Sequence, residues 1–321
     1  MQGLRRNFAK SIAAAGLATL LPARAILAGA KAVHTRPIPA TGEQIPAIGM
    51  GSWLTFDIAN SGNLTVQMEQ RRTVLQAFFD GGGSLIDTSP MYGSSERVIG
   101  ELLSPGTRPL IRRQRVFAAT KVWTVGEAAG RGQMEDSVAL WRAGSASPTS
   151  DQRFDLIQIH NMLDWQTHLN TLKAWKAEGR IRYLGITTSH GSRHEALEAA
   201  MKREFFDFVQ FTYNLADRSA ESRLLPLALD RGAAVIINRP FDGGGLFRRI
   251  AGQSVPPWCV DAGIDTWAEL FLKFVISHPA VTCAIPATSS AQHMRENMGA
   301  NSGRLPDAEF RRRLLALWDK R

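Results

Sequence analysis

Eight short apolar runs, each handing over to a more polar stretch, limit this chain's fold more than any other feature. The runs lie at 47–53, 84–88, 116–121, 154–160, 183–187, 208–211, 234–238 and 281–285. Helical periodicity appears between them, as at 66–79, 166–177, 195–203 and 267–277. Strands alternating with helices predict a parallel sheet. Eight such units within about 250 residues predict an α/β chain closed into a (β/α)8 TIM barrel rather than an open sheet. No G-x-G-x-x-G turn follows the first run, which argues against a Rossmann domain. A barrel presents its chemistry at the C-terminal ends of its strands, so the ends of the runs are the places to search.

Composition agrees with one large core. Hydrophobic residues make up 44% and charged residues 21% of 321, enough to bury a core without metals or cross-links. This balance excludes a disordered chain, a collagen-like fibre and a disulfide-stapled miniprotein. No apolar stretch reaches the ~20 residues that span a bilayer, so no integral membrane segment is expected. The formal charge of +9 is concentrated at the start, where Arg5, Arg6, Lys10 and Arg24 have no acidic neighbour. Without them 34 basic residues face 29 acidic ones. The run Arg311-Arg312-Arg313 sits among Phe310, Leu314, Leu315 and Trp318. It reads as a solvated helix face rather than a nucleic-acid patch.

Three consecutive run ends carry polar chemistry. The second continues Asp87-Thr88-Ser89-Pro90-Met91-Tyr92, the third ends at Lys121 and the fourth at His160. These four side chains are expected to meet at one barrel mouth. A tyrosine titrates near ~10, and an adjacent lysine cation makes its proton easier to lose. An aspartate holds the lysine, and a histidine donates to a carbonyl oxygen. Together they deliver a proton to a carbonyl under reduction, or remove one from an alcohol under oxidation.

The block Asp87-Thr-Ser-Pro-Met-Tyr92-Gly-Ser-Ser-Glu96-Arg-Val-Ile-Gly100 resembles the most diagnostic motif of the aldo-keto reductase superfamily. Three further blocks agree in order: 49–53 resembles the first-strand motif, 179–185 the approach to the fifth strand, and Ile285-Pro286-Ala287-Thr288-Ser289 the nucleotide loop. The likeness spans about residues 36–300. It implies catalysis by Tyr92, Lys121, Asp87 and His160. It also implies an extended nicotinamide dinucleotide, with NADP(H) favoured over NAD(H). Contacts to it fall on Thr187, Thr188 and Gln210 for the carboxamide, and on Arg239 and Phe241 beyond the seventh strand. Thr288, Ser289, Arg295 and Asn297 fall at the adenosine end. Trp53, Met91, Trp123 and Asn161 are implied to line the mouth for a small carbonyl substrate.

Three positions depart from the family pattern. Asn238 stands where an aromatic often stacks on the nicotinamide, which leaves Phe241 or Tyr213 to substitute, or an altered nicotinamide contact. Ala287 and His293 stand where Lys or Arg often meet the 2′-phosphate, with Arg295 nearby to compensate.

The opening residues form a separate unit. Leu4-Arg5-Arg6-Asn7-Phe8-Ala9-Lys10 precedes a mildly apolar run and Ala28-Gly29-Ala30. This anatomy resembles a twin-arginine (Tat) signal peptide. The expected domains are therefore 1–30, a signal, and 31–321, the barrel with a C-terminal helix. Cleavage is expected after Ala30, with Ala25 the alternative. The implied partner is the twin-arginine export machinery and the implied location the periplasm. Cys259 and Cys283 are the two cysteines, and a buried free thiol is expected for Cys283. A non-catalytic dinucleotide-binding sensor or partner subunit is the second reading. A barrel hydrolase would want paired carboxylates or a metal cluster at run ends. The sequence has neither, and no metal site is expected.

Overall fold

The computed structural model describes residues 32–60, 62–104, 116–142 and 153–320, so the signal-like segment 1–30 lies outside the described residues. Strands β1 (Thr35–Pro37) and β2 (Gln44–Pro46) form an antiparallel hairpin. The alternation then runs β3 (Met50–Gly51), α1 (Leu64–Asp80), β4 (Leu85–Asp87), α2 (Ser95–Leu102), β5 (Phe117–Val122), α3 (Glu127–Arg142) and β6 (Leu156–Ile159). It continues with α4 (Trp165–Ala177), β7 (Tyr183–Thr187), α5 (His194–Arg203), β8 (Phe208–Thr212), α6 (Leu224–Arg231) and β9 (Ala234–Asn238). Last come α7 (Gly245–Arg249), α8 (Pro257–Val260), α9 (Trp267–Ile276), β10 (Cys283–Ala284), α10 (Ala291–Gly299) and α11 (Ala308–Asp319).

Strands β3 to β10 form one parallel sheet of eight strands in chain order. Bridges Ile48 to Ala284 and Gly51 to Ala287 join its first and last strands and close the barrel. Glycine is required at this seam. Across it, a Cβ on Gly51 would meet the Ile285 oxygen at 2.9 Å and one on Gly49 the Cys283 Sγ at 3.0 Å, with the Leu85 oxygen of β4 at 2.9 Å on its other side. The (β/α)8 barrel expected from the alternation is therefore the observed fold. Strands β3, β4, β6 and β10 are shorter than their apolar runs, because those runs include flanking loop residues, and the other four match or exceed theirs.

Inside the barrel, Leu85, Phe117, Leu156, Tyr183 and Phe208 pack together, and Ile38 and Ile45 of the hairpin join the same cluster. The Tyr183 hydroxyl donates to Glu43 at 2.8 Å and lies 2.8 Å from the Thr41 hydroxyl, which ties the hairpin to the barrel. Helices begin where side chains satisfy orphan N–H groups. Asn63 accepts from Val66 at the start of α1, and Asp307 from Phe310 at the start of α11. Gly232, in the left-handed region at φ 64°, ends α6.

The reading of Arg311 to Arg313 as one solvated face needs correction. Arg311 is drawn inward and donates to the Phe274 carbonyl at 2.6 Å, to the Tyr213 hydroxyl at 2.8 Å and to Glu221 at 2.7 Å. Arg313 lies over the Trp258 ring at 4.4 Å. The guanidiniums anchor α11, because buried carbonyl and phenol oxygens there need donors. Cys259 and Cys283 are both buried and free. Among the described residues, no helix is long and apolar enough to cross a membrane.

Candidate active site

Asp87 ends β4, Lys121 lies in β5 and His160 follows β6, so adjacent parallel strands deliver all three to one face. Lys121 Nζ donates to Asp87 Oδ2 at 2.5 Å and to the Thr88 carbonyl at 2.7 Å. Gln158 Nε2 donates to the other oxygen, Asp87 Oδ1, at 3.1 Å. Lys121 Nζ stands 5.0 Å from the Tyr92 ring centroid. The Tyr92 and His160 rings meet edge to face at 5.8 Å and 87°. The four side chains thus converge at the C-terminal mouth of the barrel.

Burial governs the protonation of this group. It pushes the Tyr92 hydroxyl above the usual tyrosine range, Lys121 opposes that shift, and Asp87 adds to it. The expectation that Lys121 makes Tyr92 a stronger acid names one of two opposed effects; desolvation is the larger. Lys121 is itself raised: burial is the largest single influence and would lower it, but the Asp87 carboxylate and the Tyr92 oxygen together outweigh burial. The pair is therefore a held ammonium beside a protonated phenol. His160 is pushed down to about 2 by burial and by the Lys121 cation, so its imidazole is neutral at ordinary pH. Its Nδ1 lies 3.1 Å from Ser89 Oγ. In the tautomer where Ser89 donates to Nδ1, Nε2 carries the proton and is free to donate.

The histidine makes stability pH-dependent. A folded-state pKa near 2 against about 6.5 unfolded means the unfolded chain binds the extra proton as pH falls. Stability is full above about pH 6.5 and falls below it, by up to about 1.4 kcal/mol per pH unit for this group. His34, His194 and His278 are shifted the same way by burial and steepen the loss. His160→Gln is expected to flatten the decline in urea midpoint between about pH 6.5 and about pH 4.5. An unchanged slope in that variant would show that the imidazole is not buried neutral.

The residues assigned to the dinucleotide fall into two groups. Gln210 and, from the substrate set, Asn161 are at or near the strand ends, and Gln210 Oε1 and Asn161 Oδ1 are buried acceptors with no partner among the described residues. An amide N–H₂ group between them would satisfy both, as a nicotinamide carboxamide provides. Asn161, assigned to the substrate from sequence, thus fits the dinucleotide as well. The hydroxyls of Thr187 and Thr188 are engaged elsewhere: Thr187 accepts from Asn161 N at 3.1 Å, and Thr188 donates to the His190 carbonyl at 3.0 Å. Asn238 links three strand ends, accepting from Thr212 at 2.9 Å and donating to the Thr188 carbonyl at 2.8 Å. The two rings suggested for that contact differ: one is shut away in the core, and the other packs on a neighbouring ring and lines a cavity. Tyr213 is fully buried with its hydroxyl on Glu221 and Arg311, and Phe241 packs against Phe247 at 4.9 Å.

At the other end is a cavity of about 550 Å³ whose lining includes Phe241, Trp267, Ala287, Thr288, His293, Glu296 and Asn297. Arg295 is not among the lining residues; it is exposed and its guanidinium donates to Gln292 at 3.4 Å. Ser289 is also exposed and outside the lining, and its neighbour Ser290 caps α10. Arg239 takes a left-handed backbone, φ 48°, ahead of a loop in which Gly243 and Gly244 are also left-handed. Trp53, Met91 and Trp123 are exposed at the mouth rather than part of the core.

Sequence reading missed three polar partners. Gln158 holds Asp87, Ser89 meets His160, and buried Glu96 accepts from Thr120 and Ser137 at 2.5 and 2.9 Å. A signal existed for the first: Gln158 precedes His160 by two, and in an extended run that spacing puts side chains on one face.

A model of the Aldo/keto reductase family matches residues 47–313, and the chain belongs to that family. It is 26% identical to the NADH-specific methylglyoxal reductase of Escherichia coli (strain K12), over 85% of this chain and 95% of that protein. An aldo/keto reductase from Klebsiella pneumoniae in complex with NADP and acetate superimposes with a TM-score of 0.68 at 27% identity, covering 86% of this chain and 93% of the other. Another from the same organism, in complex with NADPH, gives 0.70 at 26% identity, with 90% and 96% covered.

Proposed function

We propose that this chain reduces an aldehyde or ketone, or oxidises the matching alcohol, using a nicotinamide dinucleotide and Tyr92 as proton donor. The observation that carries this reading is the convergence of Tyr92, Lys121, Asp87 and His160 at the barrel mouth. The dinucleotide, when bound, supplies or takes up the hydride. Tyr92 holds a proton at the phenol oxygen and releases it to the carbonyl oxygen as negative charge develops there. Lys121 stabilises the phenolate left behind. Asp87, steadied by Gln158, keeps the ammonium in place and charged. Neutral His160 donates from Nε2 and orients the carbonyl. Gln210 and Asn161 offer acceptors to the carboxamide, and Arg239 a planar cation to the pyrophosphate. Oxidation of reduced dinucleotide with a panel of aldehydes and ketones is the direct test. Absence of turnover across the panel, with dinucleotide bound, would support a sensor instead.

NADP(H) is the favoured cofactor, supported by the NADP and NADPH carried by the Klebsiella relatives. NAD(H) is compatible, as the NADH-specific Escherichia coli relative illustrates. Among the described residues, no Lys or Arg lines the adenosine cavity. Each charge-assisted contact is worth about 1.5–3 kcal/mol, so NADPH is expected to lead NADH by a narrow margin. Fluorescence quenching titrations with both measure it. A preference above about a thousandfold, equivalent to ~4 kcal/mol, would mean that a cation reaches the 2′-phosphate.

The start of the chain supports export by the twin-arginine machinery to the periplasm, with residues 1–30 removed. Replacing Arg5 and Arg6 with Lys is expected to retain the precursor in the cytoplasm. Normal export of that variant in a fractionation experiment would overturn this reading.

A further inference from the structure

Five large apolar side chains stand exposed on three successive loops along one side of the barrel mouth. Trp53 and Leu54 follow β3, Met91 follows β4, and Trp123 and Val125 follow β5. Their exposures are 47%, 72%, 39%, 40% and 67%. Polar side chains nearby are engaged with the loops themselves. Asp57 accepts from the Ser94 amide at 3.0 Å and the Ser94 hydroxyl at 2.9 Å. Gln133 accepts from Trp123 N at 2.6 Å and donates to the Trp123 carbonyl at 3.1 Å. The loops are thus braced from behind while their apolar groups face solvent.

Leu54 is the most informative of the five. Its φ is 60°, a left-handed conformation that a branched side chain rarely adopts, and it is the most exposed. The turn is held by Thr55 N and Phe56 N, each donating to the Ser52 carbonyl at 3.2 Å, and by Arg71 Nε donating to the Thr55 carbonyl at 2.5 Å. Strain that presents an apolar group to water points to something that covers it.

We propose that Leu54 and Val125 extend the wall formed by Trp53, Met91 and Trp123 outward, and that the carbonyl substrate carries an extended apolar tail lying along it. This inference rests on the carbonyl-reductase reading. Continuity with the catalytic group selects the occupant. The Trp123 ring lies 6.5 Å from the His160 ring. A substrate whose carbonyl meets Tyr92 and His160 has this apolar side of the mouth as an exit for its remainder.

The test compares straight-chain aldehydes from propanal to decanal on the full chain with reduced dinucleotide. The value of kcat/KM is expected to rise about two- to fourfold per methylene until the wall is covered. Leu54→Ser and Val125→Ser are expected to cut the decanal-to-propanal ratio by about tenfold together, chiefly through KM. Quenching of tryptophan fluorescence by straight-chain carboxylates of graded length reads tail binding without turnover. A flat series in both measurements overturns the proposal. Length-dependent binding that Leu54→Ser weakens, with no aldehyde reduced, would keep the tail site and sink the reductase reading. A flat series with binding to phosphatidylcholine vesicles, or with dimerisation that Leu54→Ser abolishes, would reassign the patch to a lipid surface or a second copy and overturn the proposal.

Discussion

Tyr92→Phe is expected to slow hydride transfer by about 10²–10⁴-fold, the usual contribution of a positioned general acid, while dinucleotide affinity survives. The substitution keeps the ring that meets His160 edge to face and removes only the hydroxyl. Lys121→Met acts on the same step, because the ammonium is held by Asp87 beside the phenol. The double variant is expected to be little slower than either single one, since groups that act as a unit are not additive. Stopped-flow transfer rates on the three variants, beside a dissociation constant for each, make the measurement. Near-normal transfer in Tyr92→Phe would falsify the proton-donor assignment. A loss of dinucleotide binding equal to the loss of rate would place the hydroxyl in cofactor binding instead.

Phe208→Ala is expected to cost about 3–5 kcal/mol of stability and to leave the chemistry largely intact in the protein that remains folded. Phe208 opens β8 and is fully buried inside the barrel. Its ring lies 5.4 Å from Tyr183 and 5.8 Å from Phe117, at the end opposite the mouth. Removing it opens a cavity among side chains fixed by closed strands, which relax little. Urea unfolding should show the lower midpoint, and turnover at low temperature should stay within a few-fold of the parent. A loss of turnover as large as that of Tyr92→Phe, at matched folded fraction, would mean that the two ends of the barrel are mechanically coupled.

The outward-facing apolar wall and the inward-facing rings divide the aromatic residues in a way composition does not reveal. Trp53 and Trp123 read equally well as core or as substrate wall, because a tryptophan beside a strand end serves either. Their exposure follows from loops braced by Asp57 and Gln133. Arg295 illustrates the converse. Its position in the nucleotide motif suggested a phosphate partner, yet helical geometry turns His293, Glu296 and Asn297 to the cavity and leaves Arg295 outside the lining.

By itself the sequence determined the alternation of strands and helices and the order of the four polar residues, because these depend on spacing along a few residues. Asp87 and Tyr92 belong to one strand end and its loop, and Lys121 and His160 to the next two, so a parallel barrel has to bring them to one face. Only the tertiary structure decided which partners those residues find. Gln158 reaches Asp87 across 71 positions and Ser89 meets His160 across another 71. Arg311 closes onto Tyr213 across 98, and the hairpin's Ile38 and Ile45 join the barrel interior. Such contacts depend on strand register, barrel closure and the direction of each side chain at once, and a short stretch of sequence specifies none of the three.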